Sequence, residues 1–197
     1  MQPDSKLQDK LITYLQDMHA VENHLVDVLG KQVQETKNVP LFQAKIQEHL
    51  DQTKQHRARL EECLKRYGKS PSGAKSALSG LIGSLQGAIS GKHTDGLAMS
   101  ARDDYVAENF EIASYEQLIA TAMACGDRQT AQACQLNLHD EVVTAKWLEN
   151  HMTDAALLSL QMDGITLPQG ELQQEQMQMR SIMGGLWQEA NQVASVN

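Results

Sequence analysis

Residues 99–118 read MSARDDYVAENFEIASYEQL, an apolar helical stripe with acid in its middle. Tyr105, Glu108, Ile112, Tyr115 and Ile119 recur at steps of three and four, which puts them on one helical face. Glu108 sits within that row, and Glu111 lies one turn further on. A core-facing carboxylate is costly unless it is paired, protonated or bound to a metal. The anomaly recurs twice. Leu11, Leu15, Met18, Glu22, Leu25 and Leu29 form the seam of a bundle helix, with Glu22 in a core slot. Cys134, Leu138, Glu141, Ala145, Leu148 and Met152 form another, with Glu141 in the central slot. Any fold of this chain must accommodate three such helices.

The punctuation predicts four long helices. The first spans about 5–37 and ends at Asn38-Val39-Pro40, where proline opens the second. The second spans about 41–67, with Ile46, Leu50, Thr53, Leu60 and Leu64 on its apolar side. His49, Gln52 and His56 form a polar row beside that side. Gly68-Lys69-Ser70-Pro71 stops it. The third spans about 97–125, Gly126-Asp127 breaks it, and the fourth starts at Arg128. Residues 72–96, rich in Gly, Ala and Ser, read as a long crossover containing one short helix. A crossover of that length lets the helices it joins run parallel. From about Thr153 the chain turns Gln- and Met-rich and is broken at Gly164 and at Pro168-Gln169-Gly170. The expected organisation is a bundle over 1–152 and a partly helical or loosely ordered extension over 153–197. That extension packs on the bundle or on a partner.

The two halves look duplicated. AVENHLVDVL (20–29) aligns with VAENFEIASY (106–115), which sets Glu22 over Glu108. EHLDQTKQHRARLEECL (48–64) aligns with LNLHDEVVTAKWLENHM (136–152), which sets Thr53 over Glu141 and His56 over Thr144. Two hairpins related in this way make an all-α four-helix bundle whose core carboxylates meet at mid-height. This is the arrangement of carboxylate-bridged dinuclear metal sites.

Composition narrows the alternatives. A net charge of −8 argues against nucleic-acid binding, which needs clustered Lys and Arg. No apolar run reaches the length of a membrane span. The start, MQPDSKLQDK, lacks a signal-peptide pattern. Three widely spaced cysteines form neither a disulfide framework nor a CxxC site, and a reducing cytoplasm fits best.

A dinuclear iron or manganese site takes about four carboxylates and two imidazoles from a bundle core. The candidate metal ligands are Glu22, His49, His56, Glu108, Glu111 and Glu141, with Asp140 beside them. The usual Glu-x-x-His signature is absent. The second helix offers Thr53-x-x-His56 and the fourth Glu141-x-x-Thr144. Two readings follow. In one, the acids hold a dinuclear metal centre acting on peroxide or oxygen. In the other, a degenerate site sits on a structural or partner-binding protein, and the acids share protons or pair with Arg57 or Lys146. Tyr105 and Tyr115 read as core aromatics.

The segments DMHAVENHL (17–25), KIQEHLDQTKQ (45–55), VAENFEIASYEQLIA (106–120), ACGD (124–127) and HDEVVTAKWL (139–148), in this order, resemble the bacterial YciE/YciF stress-protein family. The likeness runs over about 7–152 and is nearer the YciE branch. It implies a ferritin-like four-helix bundle, a homodimer, and a cytoplasmic role in general stress. It also implies a di-metal site of the rubrerythrin or manganese-catalase kind. Gln52 and Asp140 depart from the glutamates expected of the family at those positions.

Overall fold

The computed structural model describes residues 5–71 and 96–167. Four long helices account for most of them: α1 (Ser5–Glu35), α2 (Pro40–Arg66), α3 (Gly96–Ala124) and α4 (Arg128–Met162). Their starts and stops follow local chemistry. Pro40 occupies the first turn of α2, where its missing N–H costs nothing. Gly126, at φ 74°, takes the left-handed conformation that ends α3. Asp127 then caps α4, its carboxylate accepting from the Thr130 N–H at 3.0 Å. Tyr67 at the end of α2 donates to the same carboxylate at 2.6 Å, which ties the two helices together at that pole.

Two apolar clusters fix the directions of the helices. At one pole Leu11 and Leu15 of α1 meet Leu60 and Leu64 of α2, Leu118 and Ala122 of α3, and Ala131 and Cys134 of α4. At the other, Leu29 and Val33 meet Phe42 and Ile46, Leu97 and Ala101, and Leu148 and Ala155. The start of α1 therefore lies beside the ends of α2 and α3, so α1 is antiparallel to both. By the same reading α2 is antiparallel to α4 and parallel to α3. The neighbours of α1 are α2 and α3, and those of α4 are α3 and α2. This up-down-down-up four-helix bundle is the all-α, ferritin-like architecture expected. The clusters supply its stability: each fully buried leucine contributes roughly 1.5–3 kcal/mol relative to exposure.

The change of composition at Thr153 does not end the fourth helix, which continues to Met162, with Gly164 at φ 79° beyond it. Ala155 and Ser159 are buried, and the Ser159 hydroxyl accepts from the Ala98 N–H at 2.8 Å. Small residues at this spacing let α4 reach the start of α3 and satisfy one of its free N–H groups. The short helix expected within 72–96 and the extension from residue 168 onward lie outside the described residues.

Candidate metal centre

Between the two apolar clusters the bundle core becomes polar. Each helix turns the same kind of row inward at mid-height: Glu22 from α1; His49, Thr53 and His56 from α2; Glu108, Glu111 and Tyr115 from α3; Asn137, Glu141 and Thr144 from α4. All are buried, and Glu22, His56 and Glu141 are 0% exposed. The spacings of three, four and seven residues keep each set on one helical face, so the sequence that builds the core also builds the site.

The six candidate ligands converge into two overlapping groups. His49, Glu108, Glu111 and Glu141 offer ligand atoms within 4.8 Å of one another, and so do Glu22, His56 and Glu141. Glu141 belongs to both. His49 Nε2 lies 2.8 Å from Glu108 Oε1 and 3.7 Å from Glu141 Oε2. His56 Nδ1 lies 2.8 Å from Glu141 Oε1 and 3.5 Å from Glu22 Oε1.

The pattern of unmet hydrogen bonding is informative. Glu22 Oε2, Glu108 Oε2, Glu111 Oε1, both oxygens of Glu141 and His56 Nδ1 are buried without a hydrogen-bond partner. His56 Nδ1 and Glu141 Oε1 approach closely yet are not aligned as donor and acceptor. Buried polar atoms without partners are uncommon, and each costs about 1–3 kcal/mol. Six of them gathered around one point fit a group that supplies what the protein does not. Four ionised carboxylates also match the charge of two divalent cations, and carboxylate with imidazole is a donor set for iron or manganese.

Surrounding contacts fix the orientation of the ring nitrogens. His49 Nδ1 faces the Thr144 hydroxyl at 3.2 Å and Gln52 Oε1 at 3.4 Å, leaving Nε2 for the cluster. His56 does the reverse: its Nε2 meets Asp140 Oδ2 at 3.0 Å, and Nδ1 faces inward. Arg59 sits over this edge, donating to Asn137 Oδ1 at 2.8 Å. Asn137 in turn donates to the Tyr115 hydroxyl at 2.9 Å, and Tyr115 donates to Glu22. Such second partners set tautomer and ligand basicity in metal sites.

Without a metal, the cluster holds protons. Burial and the charge of Glu141 push the carboxyls of Glu108 and Glu111 well above the usual range. Burial also raises Glu22, against the pull of His56. Burial alone would raise Glu141 too, but the imidazoles of His56 and His49 outweigh it and hold it ionised. Burial opposes protonation of His56, yet Glu141 and Glu22 prevail and lift it to about 10. Burial and Glu22 keep Tyr115 a neutral phenol. Beside the site, burial pushes half-buried Asp104 to about 6, and it accepts from Gln32 Nε2 at 2.8 Å.

One sequence-based alternative falls here. The core acids do not pair with Arg57 or Lys146. Arg57 donates to Asn23 Oδ1 at 3.0 Å and Lys146 to Glu149 Oε2 at 2.8 Å, both on the outside. Tyr115 is a core aromatic, as expected, and its hydroxyl also bonds a member of the cluster. Gln52 Oε1 lies 3.4 Å from His49 Nδ1, the ring nitrogen opposite the one that faces Glu108. Two members of the cluster break the repeat. Glu111 aligns with Leu25, and His49 aligns with Asn137. His49 Nδ1 faces the hydroxyl of Thr144, the residue that aligns with His56. The repeat carries no signal for Asp104, Gln32 or Arg59.

Comparison with known proteins places this architecture. A protein from Xanthomonas campestris has a similar structure at TM-score 0.65 and 25% identity, covering 81% of this chain and 99% of its own. YcfI of Rhodopseudomonas palustris is similar at TM-score 0.62 and 27% identity, over 73% of this chain and 92% of its own. The E. coli stress protein YciF shares the fold at TM-score 0.61 and 24% identity, over 76% and 96%. The model of the DUF892 family, a domain of unknown function, matches residues 6–160. The chain belongs to the DUF892 family.

Proposed function

We propose that Glu22, His49, His56, Glu108, Glu111 and Glu141 would hold a dinuclear iron or manganese centre, Glu141 being common to both groups of ligand atoms. The chain is then a metal-binding stress protein whose centre reacts with peroxide or oxygen. The reading rests chiefly on six buried ligand atoms that lack partners and sit in two groups sharing Glu141. The likeness to YciF, a stress protein, favours the physiological setting. A homodimer in the cytoplasm belongs to the same proposal, and no described helix is long and apolar enough to cross a membrane.

When bound, such a pair of ions supplies redox equivalents and a Lewis-acidic surface for a small oxidant. The chain's own residues do the rest. Glu22, Glu108 and Glu111 release protons on loading, so affinity rises with pH. Thr144 and Asp140 keep one nitrogen of each imidazole turned inward. Tyr115 keeps its proton against Glu22, within reach of the cluster. The apolar layers above and below exclude bulk water, which strengthens every charge interaction between them.

The test is metal content and turnover. Protein purified without chelator from cells supplied with both metals is expected to carry Fe or Mn. The loaded protein is expected to consume hydrogen peroxide or oxygen faster than Glu108→Ala. Less than a few tenths of an equivalent of metal, unchanged in Glu108→Ala, would reject the centre. Loaded protein without reactivity would leave a storage or structural metal instead.

A further inference from the structure

The two groups of ligand atoms differ in what stands behind them. Behind His49 the partners are neutral: the Thr144 hydroxyl and the Gln52 amide oxygen face its Nδ1. Behind Glu22 and His56 the partners converge on one cation, Arg59. Its guanidinium donates to Asn137 Oδ1 at 2.8 Å, and the same nitrogen lies 3.9 Å from Asp140 Oδ2. The arginine side chain is 29% exposed, so its charge sits at the edge of the bundle and faces inward from there. Two routes run from it to the cluster. One passes through Asp140 to His56 Nε2 at 3.0 Å. The other passes through Asn137 to the Tyr115 hydroxyl at 2.9 Å and on to Glu22 Oε1.

The chemistry of arginine sets the direction of the second route. A guanidinium donates and never accepts. Asn137 must therefore turn its oxygen towards Arg59, which turns its amide N–H groups towards Tyr115 and the His56 carbonyl oxygen. The phenol oxygen accepts from Asn137 and sends its own proton to Glu22 Oε1. Glu22 Oε2 is left without a partner and open to an ion. A reversed Asn137 amide would place an acceptor against Tyr115, draw the phenol proton away and leave Glu22 unheld. On the first route Asp140 engages Nε2, so Nδ1 is the nitrogen that faces inward, and a carboxylate partner makes it a stronger donor. Resting on the proposed centre, we infer that Arg59 is a positioning residue for one ion of the two. It sets the ligand atoms of Glu22 and His56, whereas the group of His49, Glu108 and Glu111 fills without it. The two metal positions are therefore unequal, and one of them is controlled from the outer edge of α2 by a residue that is not a ligand.

Manganese(II) titration of the metal-free protein tests this. Bound metal is counted by equilibrium dialysis, and electron paramagnetic resonance reports whether the ions are coupled. The wild type is expected to bind two ions and, when full, to give the spectrum of an exchange-coupled pair. Arg59→Ala is expected to lose affinity for one ion by about tenfold or more and to keep the other. At a manganese concentration that just fills the wild type, it should carry one ion with the hyperfine pattern of isolated manganese(II). Arg59→Lys still offers a donor and a charge to Asn137 and should recover part of the loss. Arg59→Met keeps the aliphatic stem should the alanine variant fail to fold, and the same loss is expected of it. Two coupled ions at wild-type affinity in Arg59→Ala or Arg59→Met would overturn the inference. So would an equal loss of both ions. A wild type that binds no manganese overturns the proposed centre and, with it, the inference.

Discussion

The substitution Glu111→Gln separates a metal ligand from a structural acid. Glu111 is 1% exposed, its Oε1 has no partner, and burial beside Glu141, Glu22 and Glu108 drives its carboxyl up. In the metal-free protein burial and these neighbouring charges favour its neutral acid form. The amide copies the shape and charge of that acid. The metal-free variant should match the wild type within about 1 kcal/mol, or exceed it, since removing a buried ionisable group without a paired partner is neutral or stabilising. The loaded protein should behave in the opposite way. Manganese(II) at a hundred times its dissociation constant stabilises a single site by about 2.7 kcal/mol. For a chain of this size that raises the melting temperature by roughly 5–11 °C, at about 2–4 °C per kcal/mol. Glu111→Gln should lose most of that rise. Differential scanning calorimetry after exhaustive chelation, and again with manganese(II), measures both quantities. A metal-free variant weaker by more than about 2 kcal/mol would mark Glu111 as structural. An undiminished metal-dependent rise would remove it from the ligand set.

Three further outcomes follow from the same geometry. The folded metal-free chain binds more protons than the unfolded chain, because Glu22, Glu108 and Glu111 are raised and His56 is lifted to about 10. Its stability is then fullest at or below about pH 4.5 as far as these acids are concerned, and falls as pH rises towards 10. Saturating metal replaces those protons, so the stabilisation gained on loading should grow with pH. Urea titrations at pH 5, 7 and 9 would show both slopes, and a metal-free stability that climbs across this range would contradict the proton inventory. Thr144→Val removes the hydroxyl that faces His49 Nδ1 at 3.2 Å. Metal affinity by calorimetric titration should drop about 10- to 100-fold, and an unchanged affinity would show that Thr144 does not orient the ring. Asp127→Ala removes the cap of α4 and the partner of Tyr67, far from the site. It should cost about 0.5–2 kcal/mol of stability and leave metal content unaltered. A loss of metal in this variant would mean that the site is sensitive to any weakening of the bundle.

The seams of apolar residues and the turn signals at Pro40, Gly68 and Gly126 made the four helices legible in the sequence. The acids at Glu22, Glu108 and Glu141 marked the site because a carboxylate in an apolar row has no cheap explanation. What the spacing could not supply was the meeting of residues from different helices. Glu111 and His49 have no acidic or imidazole counterpart in the aligned half, and only the packing of α2 against α4 and of α3 against its neighbours brings them to the same point. The fourth helix continues past the change of composition at Thr153 because Ala155 and Ser159 continue the inward face of α4. The orienting contacts of Asp140, Asn137 and Arg59 are likewise products of packing, since each is an ordinary polar residue on its own helix.

The most direct measurement is anomalous diffraction from crystals of protein grown with iron and manganese, recorded at the two absorption edges. The expected map has two peaks about 3.5–4 Å apart. Both should touch the Glu141 carboxylate, one facing His49, Glu108 and Glu111 and the other facing Glu22 and His56. A map without a peak among these six side chains, in crystals shown to contain their full complement of glutamates and histidines, would contradict the proposed centre.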